Sequence, residues 1–257
     1  MALLLTLALS AAAFLLQIRG GLGVEIIGGK EASPHSMPFM ALIKGKDICG
    51  GILIKANWVL TAAHCSVNNK TDVILGVHSQ FQREKEQQKF MIQKAVPHPC
   101  FDEQMHENDL MLLQLKRSAK LNKNVAVLSL PTKEKDIKVG TKCEVAGWGI
   151  TKNKNKSGSD KLMQVTISIL DRKVCNDKKH YNFNPVITNN MLCAGDARGG
   201  RDTCGGDSGG PLLCNHILEG ITSFGGIICG DAKNPGIYTR LTHKYLLWIK
   251  KTIGGDF

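Results

Sequence analysis

Hydrophobic positions in this chain come in short runs rather than long ones. Residues 52–54, 58–60, 72–75 and 110–115 are apolar or alternating stretches, separated by Gly, Asn, Lys and Asp. Period-two alternation over a few residues, bounded by turn formers, predicts strands. The texture returns at 143–147, 162–170, 211–214, 218–224 and 236–241, after a polar, lysine-rich stretch at 131–140 that reads as a linker. Many short strands with no long helical run predict barrels or sandwiches, an all-β fold. The end of the chain differs. Leu241, Tyr245, Trp248, Ile249 and Thr252 recur at helical spacing, so a packing helix is predicted over about 241–253, with Lys244, Lys250 and Lys251 toward water.

The beginning also stands apart. Residues 3–16 are apolar without a charge, and Gly21-Leu-Gly23 follows. Such a stretch is too short to cross a bilayer, which takes about 20 residues, but it suits a signal-peptide core followed by small residues. It has no amphipathic face, which argues against a buried helix. Cleavage is expected after Gly23, leaving a dipeptide, Val24-Glu25, ahead of a domain at 26–257.

Three segments carry candidate chemistry. Cys204-Gly-Gly-Asp-Ser-Gly-Gly-Pro211 centres on Ser208, in a glycine-rich turn that leaves main-chain N–H groups free. The amides of Gly206 and Ser208 are the natural pair for an oxyanion hole. Alone, this string could be a plain tight turn between strands. Upstream, however, Leu60-Thr-Ala-Ala-His-Cys65 supplies a candidate base, His64, and Asn108-Asp109 supplies an acid at the head of an apolar run. A serine hydroxyl becomes a nucleophile when a base takes its proton, and a carboxylate behind that base orients it. His64, Asp109 and Ser208 stand in the His…Asp…Ser chain order.

With these motifs in that order, the chain resembles the chymotrypsin-fold serine proteases from residue 26 to about 253. The resemblance implies two packed antiparallel β-barrels, one over about 26–130 and the second over about 131–240, with a C-terminal helix. It implies disulfides Cys49–Cys65, Cys143–Cys214, Cys175–Cys193 and Cys204–Cys229. Nine cysteines then leave Cys100 over, in the proline-stiffened segment Pro97-His-Pro-Cys-Phe101. Cys100 is either a buried thiol or the interchain bond of a homodimer. Ile26-Ile-Gly-Gly29 resembles the mature start of the family, where a new amino group at Ile26 pairs with Asp207. Asp202 matches the floor of the primary pocket and selects Arg or Lys. Gly225 and Gly236 match its walls, and Ser223 matches the serine that bonds the acid of the triad. Pro235 stands where sodium-regulated members carry tyrosine, so no sodium dependence is expected.

Within the family the chain looks like a granzyme. The acidic pro-dipeptide, Cys100, Phe224, Asp171-Arg-Lys-Val-Cys-Asn-Asp177 and His180-Tyr-Asn-Phe-Asn-Pro185 carry that likeness. It implies a secreted enzyme of cytolytic granules in immune defence, activated by a dipeptidyl peptidase. Rival readings are another trypsin-like tryptase, or an inactive heparin-binding homologue, a class that generally loses the His or Ser present here.

Charge adds partners rather than fold. The formal net charge is +11, and the lysines cluster at 116–120, 152–156, 178–179 and 250–251. Each run alone is a solvated face. Together they favour polyanions, here a sulfated proteoglycan, with no interleaved aromatic motif for reading nucleic-acid bases. The eight histidines look scattered, so neither metal nor cofactor is expected. Asn69 and Asn155 open glycosylation sequons in polar, loop-like surroundings.

Overall fold

The structure, a computed structural model, describes residues 26–154 and 157–255. The expected signal peptide, the Val24-Glu25 dipeptide and the Asn155 sequon lie outside the described residues. Asn69 lies in an exposed turn.

Thirteen strands and two helices are described. The first barrel comprises β2 (Met40–Lys44), β3 (Ile48–Lys55), β4 (Trp58–Thr61), β5 (Asp72–Leu75), β6 (Gln88–Pro97) and β7 (Met111–Leu115). They close antiparallel in the order β2-β3-β4-β7-β6-β5, with Ala41 opposite Leu75 at the closure. The second comprises β8 (Lys142–Gly147), β9 (Met163–Leu170), β10 (Met191–Gly195), β11 (Pro211–Cys214), β12 (Ile217–Phe224) and β13 (Gly236–Arg240). Here β8 pairs with both β9 and β11, closing six antiparallel strands.

Alternation explains β9, whereas β4, β11 and β13 are buried on both faces. On β9, Met163, Val165, Ile167 and Ile169 point into the second core while Gln164, Thr166 and Ser168 do not. Each such aliphatic side chain, fully removed from water, contributes about 1.5–3 kcal/mol before entropy is counted. Leu213, Leu218 and Ile221 of the second barrel join the core of the first, so the two barrels share an apolar seam.

Helix α1 (Arg172–Cys175) is a single turn capped by the Asp171 carboxylate, which accepts from the Lys173 amide. Helix α2 (His243–Ile253) follows Thr242 and ends at Gly254, whose φ of 71° supplies the left-handed cap. It buries Tyr245, Leu246, Ile249 and Ile253 against the first-barrel core.

Four disulfides join the pairs the resemblance implied: Cys49–Cys65, Cys143–Cys214, Cys175–Cys193 and Cys204–Cys229. Cys100 is a free, exposed thiol. That removes the buried-thiol alternative.

The start of the domain departs from expectation. Residues 26–31, assigned above to the first barrel, belong with the second. Strand β1 (Lys30–Glu31) pairs with β9, and Ile26 is fully buried among Cys143, Val145, Leu192 and Tyr238. A two-residue polar strand has no periodicity to read, and its place is set by a partner far along the chain.

Candidate active site

Three chain segments bring the site together at the seam between barrels. Strand β4 runs into Ala62-Ala63-His64, and the Cys49–Cys65 bond ties the next residue back to β3. Asp109 stands two residues ahead of β7 and is fully buried. His64 Nδ1 lies 2.7 Å from Asp109 Oδ2, and the His64 amide donates to Asp109 Oδ1 at 2.9 Å. Ser223 Oγ, on β12, donates to Asp109 Oδ2 at 2.5 Å. The second barrel therefore helps hold the acid of the first. Burial pushes the Asp109 carboxyl up, but bonds and charge from His64, and the Ser223 hydroxyl, outweigh it; its pKa lies below the ordinary carboxylate value.

Ser208 sits in the loop ahead of β11, beside the Cys204–Cys229 bond. It shares a cleft of about 620 Å³ with His64, Gly206, Ile48, Phe81 and Trp148. The main chain turns sharply here, with φ of 98° at Gly206 and 78° at Gly209. A side chain on Gly206 would both need a left-handed backbone and run into Gly149, whose Cα would be 2.9 Å from its Cβ. Neither the Gly206 nor the Ser208 amide donates a hydrogen bond among the described residues. Two N–H groups are thus open beside the hydroxyl.

Ser208 also lines a second cavity of about 210 Å³, with Thr203, Ser223, Gly225, Gly226 and Cys229. Gly225 leaves open space where a side chain would stand: a Cβ there meets nothing nearer than Gly236 Cα at 3.8 Å. A Cβ on Gly236 would come within 2.8 Å of Asp202 Oδ1. Asp202 is buried, and its carboxylate accepts from the amides of Thr203 (2.8 Å) and Gly230 (3.1 Å), neighbours of the cavity wall. Burial pushes its pKa up to about 6 despite those bonds. No cationic side chain among the described residues pairs with it.

Asp207 is a second buried acid that pairs with no cationic side chain among the described residues. Its carboxylate accepts from the amides of Gly149 (2.8 Å) and Cys204 (2.9 Å), and burial pushes its pKa up to about 7. Ile26 is buried in the same barrel.

One residue beside His64 carries no signal in the sequence. His106 stacks on Phe224, with ring centroids 4.6 Å apart and planes at 25°, and meets the His64 ring edge-on at 6.3 Å. Its position depends on left-handed backbone at His106 (φ 51°) and Asn108 (φ 56°). A lone histidine three residues ahead of Asp109 gives no periodic signal of this. The histidines are consequently less scattered than they looked: among the described residues, His64, His106 and Asp109 form a group able to hold a metal ion.

A serine, histidine and buried aspartate at the seam of two six-stranded barrels define the class, and the chain belongs to the trypsin family, whose match spans residues 26–249. It is a serine endopeptidase, a hydrolase. Within the family it is similar to granzyme A of Bos taurus, with 54% identity over 230 residues, covering 90% of this chain and 88% of that protein. It is also similar to human kallikrein-8, 42% identical over 235 residues (90% and 87% covered), and to mouse kallikrein 1-related peptidase b11, 43% identical over 243 residues (89% and 90%). Among the described residues no helix is long and apolar enough to cross a membrane.

Proposed function

We propose that this protein cleaves peptide bonds after Arg or Lys through Ser208, His64 and Asp109, as a secreted, granule-stored, granzyme A-like protease of immune killing. The observation that carries the specificity is Asp202: a buried carboxylate without a cationic partner among the described residues, bonded to the amide of Thr203, which lines the cavity shared with Ser208. An unpaired charge in such a place is costly and is relieved by a cationic substrate side chain. Peptide-library cleavage by the mature protein tests this. Cuts confined to Arg and Lys are expected, and faster cleavage after Phe or Asp would remove the assignment.

The proposed steps are those of acyl transfer to a serine. Asp109 accepts from His64 Nδ1–H, leaving Nε2 as the base. His64 takes the Ser208 proton as Oγ attacks the substrate carbonyl carbon. The Gly206 and Ser208 amides receive the charge on the carbonyl oxygen. The His64 imidazolium then gives its proton to the leaving amine, and the C–N bond breaks. Water, deprotonated by His64, releases the acid product and restores Ser208.

Activation is read from Asp207 and Ile26. Removal of Val24-Glu25 frees an α-ammonium at Ile26 to pair with the buried Asp207 carboxyl, ordering the adjacent Gly206–Ser208 turn. Such a pair works as a switch because desolvation offsets much of its attraction. Glu25 is acidic, so an enzyme preferring basic residues does not process this bond itself; a dipeptidyl peptidase suits it. Mass spectrometry of active protein should give Ile26 as the first residue. Protein retaining the dipeptide should turn over at least ~10²-fold more slowly, since an oxyanion donor is out of place. Full activity with the dipeptide attached would refute the switch.

The exposed Cys100 thiol supports a disulfide-linked homodimer. Its segment is held by Asn108 Nδ2, which donates to the Cys100 carbonyl at 2.7 Å. Oxidised protein should run at twice the chain mass on a non-reducing gel, and Cys100→Ser at the single mass; a monomer band alone for wild type rejects the dimer. The basic surface is assigned to a sulfated proteoglycan on charge.

A further inference from the structure

We propose that the cleft contains a site for a divalent transition-metal ion such as Zn²⁺, built from the imidazoles of His64 and His106, and that the ion reversibly stops hydrolysis by occupying the base. One ligand atom from each of His64, His106 and Asp109 lies within 4.8 Å of the others, and no second such group occurs among the described residues. Imidazole nitrogen is a ligand well suited to zinc. Metal-binding histidines usually donate their other ring N–H to a carboxylate, which fixes the ring and strengthens the ligand. Asp109 already stands in that relation to His64, at 2.7 Å from Nδ1. The carboxylate is thereby the outer partner and the two rings are the ligands, with water completing the shell.

His106 is held for this rather than left to drift. Its ring stacks on Phe224 and stands edge-on to His64. The loop that carries it is anchored on both sides. Tyr245 Oη donates to Asn108 Oδ1 at 2.9 Å, and Thr188 Oγ1, from the second barrel, donates to Glu107 Oε1 at 2.7 Å. Residues His106 and Asn108 both adopt left-handed backbone, a conformation that non-glycine residues keep only where the surroundings hold them in it. His106 Nδ1 is shielded from solvent and has no hydrogen-bond partner. A buried polar atom of that kind calls for an explanation. The other close histidine pair, His35 and His78, has ring centroids 6.4 Å apart and belongs to no group of three possible ligands among the described residues.

Binding needs no catalysis, whereas inhibition rests on the reading of His64 as the base; the test separates them. Zinc is titrated by calorimetry into the mature Ser208→Ala protein, and into mature wild type hydrolysing an arginyl peptide, with chelator added afterwards. Expected are one zinc per chain, and loss of activity that the chelator restores. In His106→Ala and in His106→Gln, which preserves much of the side-chain volume, the half-inhibitory zinc concentration should rise at least ~10-fold, each variant being compared with its own zinc-free rate. His35→Ala should leave the zinc response unchanged. Absence of calorimetric binding, or a zinc response that survives loss of His106, overturns the site. Zinc that binds through His106 without slowing hydrolysis overturns the inhibitory half and counts against His64 as the base.

Discussion

Ser208→Ala should lower kcat for an arginyl substrate on the order of 10⁶-fold. The proposed chemistry needs an oxygen nucleophile at this one position, and alanine supplies none. The two open amides and the pocket remain, so a residual rate above that in water is expected. Stability should hardly move. The Ser208 hydroxyl makes no hydrogen bond among the described residues, so truncation leaves no buried partner unsatisfied. Steady-state kinetics with parallel thermal unfolding make the comparison. If the variant and wild type hydrolyse an arginine thioester equally, the triad is wrong, and the inactive polyanion-binding reading takes its place.

Asp202→Asn should reduce kcat/KM for arginyl substrates by about 2–5 kcal/mol, on the order of 30- to 4,000-fold, because the cationic side chain would enter the pocket without its counter-charge. Substrates with neutral side chains should lose far less. The effect carries a pH signature. Burial raises the Asp202 pKa from 3.8 to about 6, so in the empty pocket the carboxyl is largely protonated at pH 5. A benzamidinium probe favours the ionised form. Its affinity should therefore rise from pH 5 to 7 and then level off, with a proton released on binding near pH 6, seen as buffer-dependent heat. In Asp202→Asn both effects should vanish. The stability sign is opposite: a folded-state pKa above the unfolded one means the native protein holds the proton more tightly. The contribution of Asp202 is then greatest below about pH 4 and is lost as pH rises through about 6, and the variant should remove that slope. An unchanged preference for arginine would end the pocket assignment.

The two predictions lean on different parts of the chain, and these were not equally legible. Strand β9 announces itself through alternation, because one face is buried and the other is not, and β12 through a run of apolar residues buried on both faces. Strand β6 does not: most of its residues are at least partly exposed, so Gln88–Pro97 carries little hydrophobic pattern. Strand β10 is buried throughout and too short for a period to show. The helix α2 was readable because its buried residues recur each turn, although it begins at His243 rather than 241.

The same division runs through the site. The glycine-rich turn around Ser208, the acid heading an apolar strand at Asp109 and the odd cysteine at position 100 are local features, so the linear chain states them directly. That His64 meets Asp109, that Ser223 reaches across from the other barrel, that Ile26 is buried in the second barrel and that His106 folds back onto Phe224 are long-range facts. They depend on barrel closure and on left-handed backbone at single residues, neither of which leaves a repeating mark. The raised pKa values of Asp202 and Asp207 belong to this second group as well. A carboxyl's ionisation answers to the water and charge around it, and only the packed chain decides what those surroundings are.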